Sequence, residues 1–241
     1  MKRKPGSWDR LEIVFFGAFL FWSAAGLIFT VLRVSPTTVA GWNLPGWLAR
    51  FIDFCLHNGD PILILLAFAN THLHAARQWT PAVARRWGLT VLVCAFAVES
   101  LGALTGFPFG VYRYTSLFGP VLGVVPLTIP LAWHVVVTNA LFVVRSAAPH
   151  CARTAEAALT ALLCTLYDFI LEPFATTVKN YWIWSGGAIP WQNYAAWLVI
   201  SGLIVRLLAP TASSRFRYDP RPGLILLITI LIFAAGRWAT G

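Results

Sequence analysis

Long apolar runs recur along this 241-residue chain from one end to the other. A run of about 18 or more such residues can cross the hydrocarbon core of a bilayer as a helix. In lipid every backbone N–H and C=O must be satisfied within the segment, so the runs dictate helices. Charged residues make up 11% of the chain and the mean hydropathy is +0.70, whereas a soluble domain is about a quarter charged. The reading is an all-α polytopic transmembrane helical bundle, a single integral membrane domain over residues 1–241. The first run, "LEIVFFGAFLFWSAAGLIFTVLRV", is too long for a signal-peptide core and lacks a clean cleavage site, so it reads as a retained span.

Seven spans are expected, at about 11–33, 51–73, 87–105, 120–145, 153–172, 190–208 and 222–238. The second is the weakest: "DFCLHNGDP" interrupts it, and Pro61 is expected to break or start the helix there. Six spans plus a re-entrant segment is the alternative count. The 18 Lys and Arg fix an orientation. One side collects Lys2, Arg3, Lys4, Arg10, Arg77, Arg85, Arg86, Arg145, Arg153, Arg206, Arg215, Arg217 and Arg221. The other has Arg33, Arg50, Arg113, Lys179 and Arg237. The excess marks the cytoplasmic side, with the N-terminus inside, in a bacterial cytoplasmic membrane. The net charge of +9 therefore serves orientation and lipid contact and does not point to nucleic acid.

This orientation gathers chemistry at one depth. Asp53, Asp60, Glu99, Asp168 and Glu172, five of nine acidic residues, fall near the outer ends of their spans. Asp168 and Glu172 are four apart in "TLYDFILEPFATTVKNYWIW" and share one helix face. Charges at mid-bilayer cost about 2.5–3.5 kcal/mol on insertion scales, so these side chains should face the bundle interior. There they can share a proton, and a carboxylic acid kept protonated suits acid chemistry on an apolar substrate. The plain alternative is that Glu172 meets water, or that both acids pair with Lys179 or Arg113.

The doublets Tyr112/Tyr114 and Trp182/Trp184 sit beside these acids. Their π faces can stabilise a cation or line a slot for a conjugated ligand, although interfacial belts also use Trp and Tyr. Each doublet precedes a similar block, "PLTIPLAW" from Pro126 to Trp133 and "PWQNYAAW" from Pro190 to Trp197. Spans 3–4 and 5–6 then read as a weak parallel internal repeat about an axis along the membrane normal. Asn193 can hold water or orient a carboxyl. His72 and His74 read as interfacial and His134 as a hydrogen-bonded core residue.

Several classes are argued against. Cys55, Cys94, Cys151 and Cys164 lack CxxC spacing, so neither zinc nor a disulfide framework is suggested. Five histidines without HxxxH do not suit di-iron oxygenation. No GxGxxG, P-loop or DDxxD-like run is present. What is left is cofactor-free acid catalysis on a lipid, or plain ligand binding, with no metal.

At this point the residues resemble a known family. "ESLGALTGFPFGVYRYTSLFGPVLGVVPLTIPLAW" (Glu99–Trp133) and "YDFILEPFATTVKNYWIWSGGAIPWQNYAAW" (Tyr167–Trp197) resemble the two signature blocks of membrane carotenoid biosynthesis proteins. These include the γ-carotene 1'-hydratases and bisanhydrobacterioruberin hydratases, and the likeness covers about residues 98–203. The resemblance implies addition of water across the C1'=C2' bond of a ψ end group, on lycopene, γ-carotene or a similar polyisoprenoid. It places the acid pair at Asp168 and Glu172, with Glu172-Pro173 standing where Asp-Pro is expected. Asp168 is the expected acid, Glu172 the water base, and Glu99 tunes the pair or replaces either member. Tyr112, Tyr114, Trp133, Trp182, Trp184, Asn193 and Phe107 form the expected substrate wall. Other carotenoid-pathway enzymes are conceivable partners. End-group cyclisation or isomerisation, and non-catalytic pigment binding, are the competing readings.

Overall fold

The structure, a computed structural model, describes residues 7–211 and 217–240. Lys2, Arg3, Lys4 and Arg215 of the charge pattern lie outside those residues. Eight α-helices, counted over the described residues, form the bundle: α1 Ser7–Val31, α2 Pro36–Ala40, α3 Gly46–Gln78, α4 Pro81–Thr105, α5 Thr128–Ala147, α6 Arg153–Pro173, α7 Trp191–Leu203 and α8 Arg221–Thr240. Among the described residues, six helices are long and apolar enough to cross a membrane: Arg10–Val31, Gly46–Gln78, Pro81–Thr105, Thr128–Ala147, Arg153–Val178 and Arg221–Ala239. The expected span at 190–208 is also helical, as α7 followed by a π-helical turn Ile204–Leu208, but Gln192 and Asn193 make its first turn polar.

α5 is the central helix. It is apolar nearly all round and buried along its length, as such a helix must be. It packs against α3, α4, α6 and α8, while α1 lies against α3 and α8, and α7 against α6. The polar positions of α6 follow its inward stripe: Glu156, Thr160, Asp168 and Glu172 are all buried. Spacing by four and eight residues puts them on one face, and that face meets α5 and α7.

Two expectations about element edges change. Pro61 lies inside α3, which runs unbroken for 33 residues. Membrane helices tolerate proline because their surroundings compensate the freed carbonyl. At about 1.5 Å per residue α3 is about 50 Å long, more than the bilayer core needs, so it projects beyond it. The fourth span starts at Thr128, not near 120. Gly119 (φ 93°) and Gly123 (φ 61°) take left-handed conformations that favour glycine, and the chain folds there into a ribbon of β2 (Val121–Leu122) and β3 (Val125–Pro126).

The two doublets are short strands that pair with each other. β1 (Tyr112–Tyr114) runs antiparallel to β4 (Trp182–Trp184), with Tyr112 opposite Trp184 and Tyr114 opposite Trp182. Side chains alternate along a strand, so all four rings share one face, and Arg113 and Ile183 take the other. Trp133 and Trp197, which end the two similar blocks, stack on each other at 3.7 Å with planes 4° apart. The strand pairing is centred on Arg113 and Ile183, the middle residues of the two strands, and the ring stack joins the last residues of the two blocks, an arrangement consistent with a two-fold relation between the halves.

The other end of the bundle is closed by ions. Glu12 of α1 is fully buried and meets His74 Nδ1 at 2.8 Å, Arg77 Nε at 2.9 Å and Arg221 Nη1 at 3.1 Å. Asp219 pairs with Arg221 Nη2 at 2.7 Å and also with Arg77. His74, expected at the interface, is therefore a buried member of a clasp joining α1, α3 and α8. Burial pushes the Asp219 carboxyl up, but the side chain and backbone N–H of Arg221, with Arg77, outweigh it and hold the group well below the usual carboxylate range. A depressed folded-state value gives stability that is present above the unfolded-state value and lost as pH falls through the folded one. Asp219→Asn should lower the thermal midpoint of the detergent-solubilised protein at neutral pH. The gap to the native protein should close below about pH 4, where the unfolded carboxyl titrates.

Candidate active site

Under the β1–β4 arch lies a cavity walled by α3, α4, α5, α6, α7 and α8. Asp60, Glu99, Asp168 and Glu172 all line it. Asp53, the fifth acid expected at this depth, is exposed on α3 and does not take part. The rest of the wall is largely aromatic and aliphatic, with Leu63, Ala67, Val136 and Phe233 among its apolar members.

Each half of the chain ties its glutamate to its own aromatic doublet. Glu99 is buried near the C-terminal end of α4. Its Oε2 accepts the hydroxyls of Tyr112 (2.7 Å) and Tyr114 (2.6 Å), and its Oε1 accepts the indole N–H of Trp133 (2.8 Å). Glu172 repeats the pattern in α6. Its Oε2 accepts the indole N–H groups of Trp182 (3.2 Å) and Trp184 (3.0 Å), and its Oε1 the amide of Asn193 (3.2 Å). Hydrogen bonds to a charged group contribute about 1.5–3 kcal/mol each, so three donors offset much of the cost of burying each carboxylate.

Asp168 has no such set. Asn193 Nδ2 donates to its Oδ2 at 2.7 Å, and among the described residues Oδ1 has no donor. One amide thus bridges Asp168 and Glu172. The first half lacks this addition: four residues before Glu99 stands Ala95, and three residues after Pro126 stands Ile129 where Asn193 follows Pro190. The half-sites are alike in their glutamate and aromatics and differ in the second acid.

The candidate residues are brought together with one exception. Tyr112, Tyr114, Trp133, Trp182, Trp184 and Asn193 line the cavity with the three acids. Phe107 is 69% exposed and outside it, and Phe109, two residues on, is buried in the wall beside Tyr112 and Trp133. Lys179 does not pair with Asp168 or Glu172: its Nζ lies 2.8 Å from Asp60 Oδ2. Arg113 points away on the exposed face of β1. Tyr167, Trp197, Tyr181 and Thr229 complete the wall and were not singled out as site residues by sequence reasoning. Trp197 was within reach, since it matches Trp133 in the similar blocks. His134 is fully buried, with Thr138 at 3.5 Å and Phe68 and His72 against its ring.

Over 158 residues the chain is 34% identical to a bisanhydrobacterioruberin hydratase of Haloarcula japonica, covering 62% of this chain and 53% of the relative. The chain thus spans about half the length of that curated relative. No solved structure matches it. Residues 59–240, most of the chain and all of the cavity wall, match the carotenoid biosynthesis protein family, and the chain belongs to that family.

Proposed function

We propose that the protein is a carotenoid hydratase that adds water across the terminal C1'=C2' double bond of a ψ end group, without a cofactor. The observation that carries this reading is the unequal treatment of two adjacent carboxyls in one apolar cavity. Glu172 accepts three N–H donors, an environment suited to an ionised carboxylate. Asp168 accepts one and keeps an oxygen open to the cavity, where a proton can sit.

The chemistry follows from that division. The π pair of C1'=C2' takes the proton of Asp168, forming a C2'–H bond and leaving a tertiary cation at C1'. A water oxygen bonds to C1', and the proton it sheds goes to Glu172. Return of that proton from Glu172 to Asp168 resets the pair, so the net change is addition of one water. The Tyr112, Tyr114, Trp182 and Trp184 rings supply electron-rich faces while their hydroxyls and indole N–H groups stay on the glutamates. In this reading Glu99 is a positioning residue, because all its donors come from the wall it holds in place. The Lys and Arg pattern supports an N-terminus on the cytoplasmic side of a bacterial inner membrane, with the cavity near the outer face.

Expression in a lycopene- or γ-carotene-producing host tests the reading. Hydration adds about 18 Da to the pigment, whereas cyclisation and isomerisation add nothing, since both end by losing the proton gained at the cation. Asp168→Asn should abolish the tertiary alcohol while the protein still purifies as a folded species and retains pigment; full activity in that variant overturns the assignment. Glu99→Gln should keep the same product and lower kcat by about tenfold to a hundredfold, the range of a misplaced positioning group. Its thermal midpoint should fall as well, because an amide cannot accept from three donors as a carboxylate does.

A further inference from the structure

Hydration consumes water inside a cavity built mostly from apolar side chains. Nearly every polar group on its wall is already engaged. The glutamates hold three donors each, the Tyr112 and Tyr114 hydroxyls are on Glu99, and the Tyr167 hydroxyl bonds to Thr229, whose own hydroxyl turns to the Ile225 carbonyl. Glu99, Asp168, Glu172, Asn193 and Thr229 are also buried. None of them meets bulk water.

Asp60 is the exception. It lines the cavity, yet its side chain is 28% exposed. Lys179 Nζ and the Tyr181 hydroxyl both bond to its Oδ2, and among the described residues Oδ1 takes no donor. Lys179 is itself 31% exposed. Tyr181 is buried, lines the cavity and stacks on Phe118 at 4.1 Å. Asp60 sits one turn above Leu63 and Ile64 of the cavity wall, on the part of α3 that reaches the arch. A carboxylate that touches both media, with a cation beside it, keeps water at the mouth of a pocket that would otherwise dewet.

We infer that Asp60, held by Lys179 and Tyr181, admits the water that the reaction consumes. The inference rests on the proposed hydration and adds its water route. The competing role for the cluster is a latch: the ion pair ties α3 to the segment before β4. Asparagine and leucine separate the two. Asp60→Asn breaks the ion pair but keeps a hydrated side chain at the mouth, and Asp60→Leu removes both.

The test uses the full-length protein in membranes, with a ψ-ended carotenoid as substrate and mass analysis of the pigments. Asp60→Asn should hydrate at a rate within about threefold of the native protein, and Asp60→Leu about tenfold or more slowly with the carotenoid KM unchanged. Starved of water, the cation in Asp60→Leu should instead lose a proton, so unhydrated double-bond isomer should rise relative to alcohol. Equal impairment of the two variants overturns the water route in favour of a latch. Native-rate hydration by Asp60→Leu overturns it outright. If the native protein yields no alcohol at all, the proposed hydration fails, and that result is distinct from either outcome at Asp60.

Discussion

Burying a carboxylate in a membrane protein is affordable only when donors surround it, and that requirement organises the half of this molecule around the cavity. Glu99 and Glu172 each recruit three donors, and five of those six sit on aromatic side chains too large to be placed loosely, the sixth being the Asn193 amide. Two of the three come from a strand and the third from the following helix, so each glutamate sets the path of its own half of the chain. The arch, the α5 and α7 starts and the cavity roof all follow from satisfying those two groups.

The fold was legible where it depends on local pattern. Apolar length marked the spans, and spacing by four put Asp168 and Glu172 on one buried face. The doublets announced an aromatic wall beside the acids without announcing a strand, because three residues carry too little pattern to separate strand from turn. Misreadings arose where a distant partner decides. His74 looked interfacial because Glu12, which buries it, lies 62 positions away. Phe107 and Phe109 are equivalent in sequence, and only the turn between α4 and β1 sends one to solvent and the other to the wall. The run from 120 reads as apolar helix in composition, yet its glycines and prolines bend it into a ribbon. Lys179 seemed placed to neutralise the acid pair, and its partner proved to be Asp60, 119 positions earlier.

The similarity between the halves explains the site better than either half alone. A repeated glutamate with repeated aromatics makes a symmetrical, well-satisfied frame. In the proposed reaction the chemistry enters through departures from the repeat: Asp168 where the other half has Ala95, and Asn193 where it has Ile129. An acid added to a finished frame finds few donors left, and that shortage is what suits Asp168 to holding a proton.

The stack of Trp133 on Trp197 joins these two halves mechanically. Trp133 is anchored to Glu99 through its indole N–H, and Trp197 lies one helical turn beyond Asn193 on the same face of α7. The amide that bridges Asp168 and Glu172 is therefore indexed, through two flat rings in contact, to a carboxylate on the opposite half. The half without the second acid works as a datum: it tells the half that carries Asp168 where to stand.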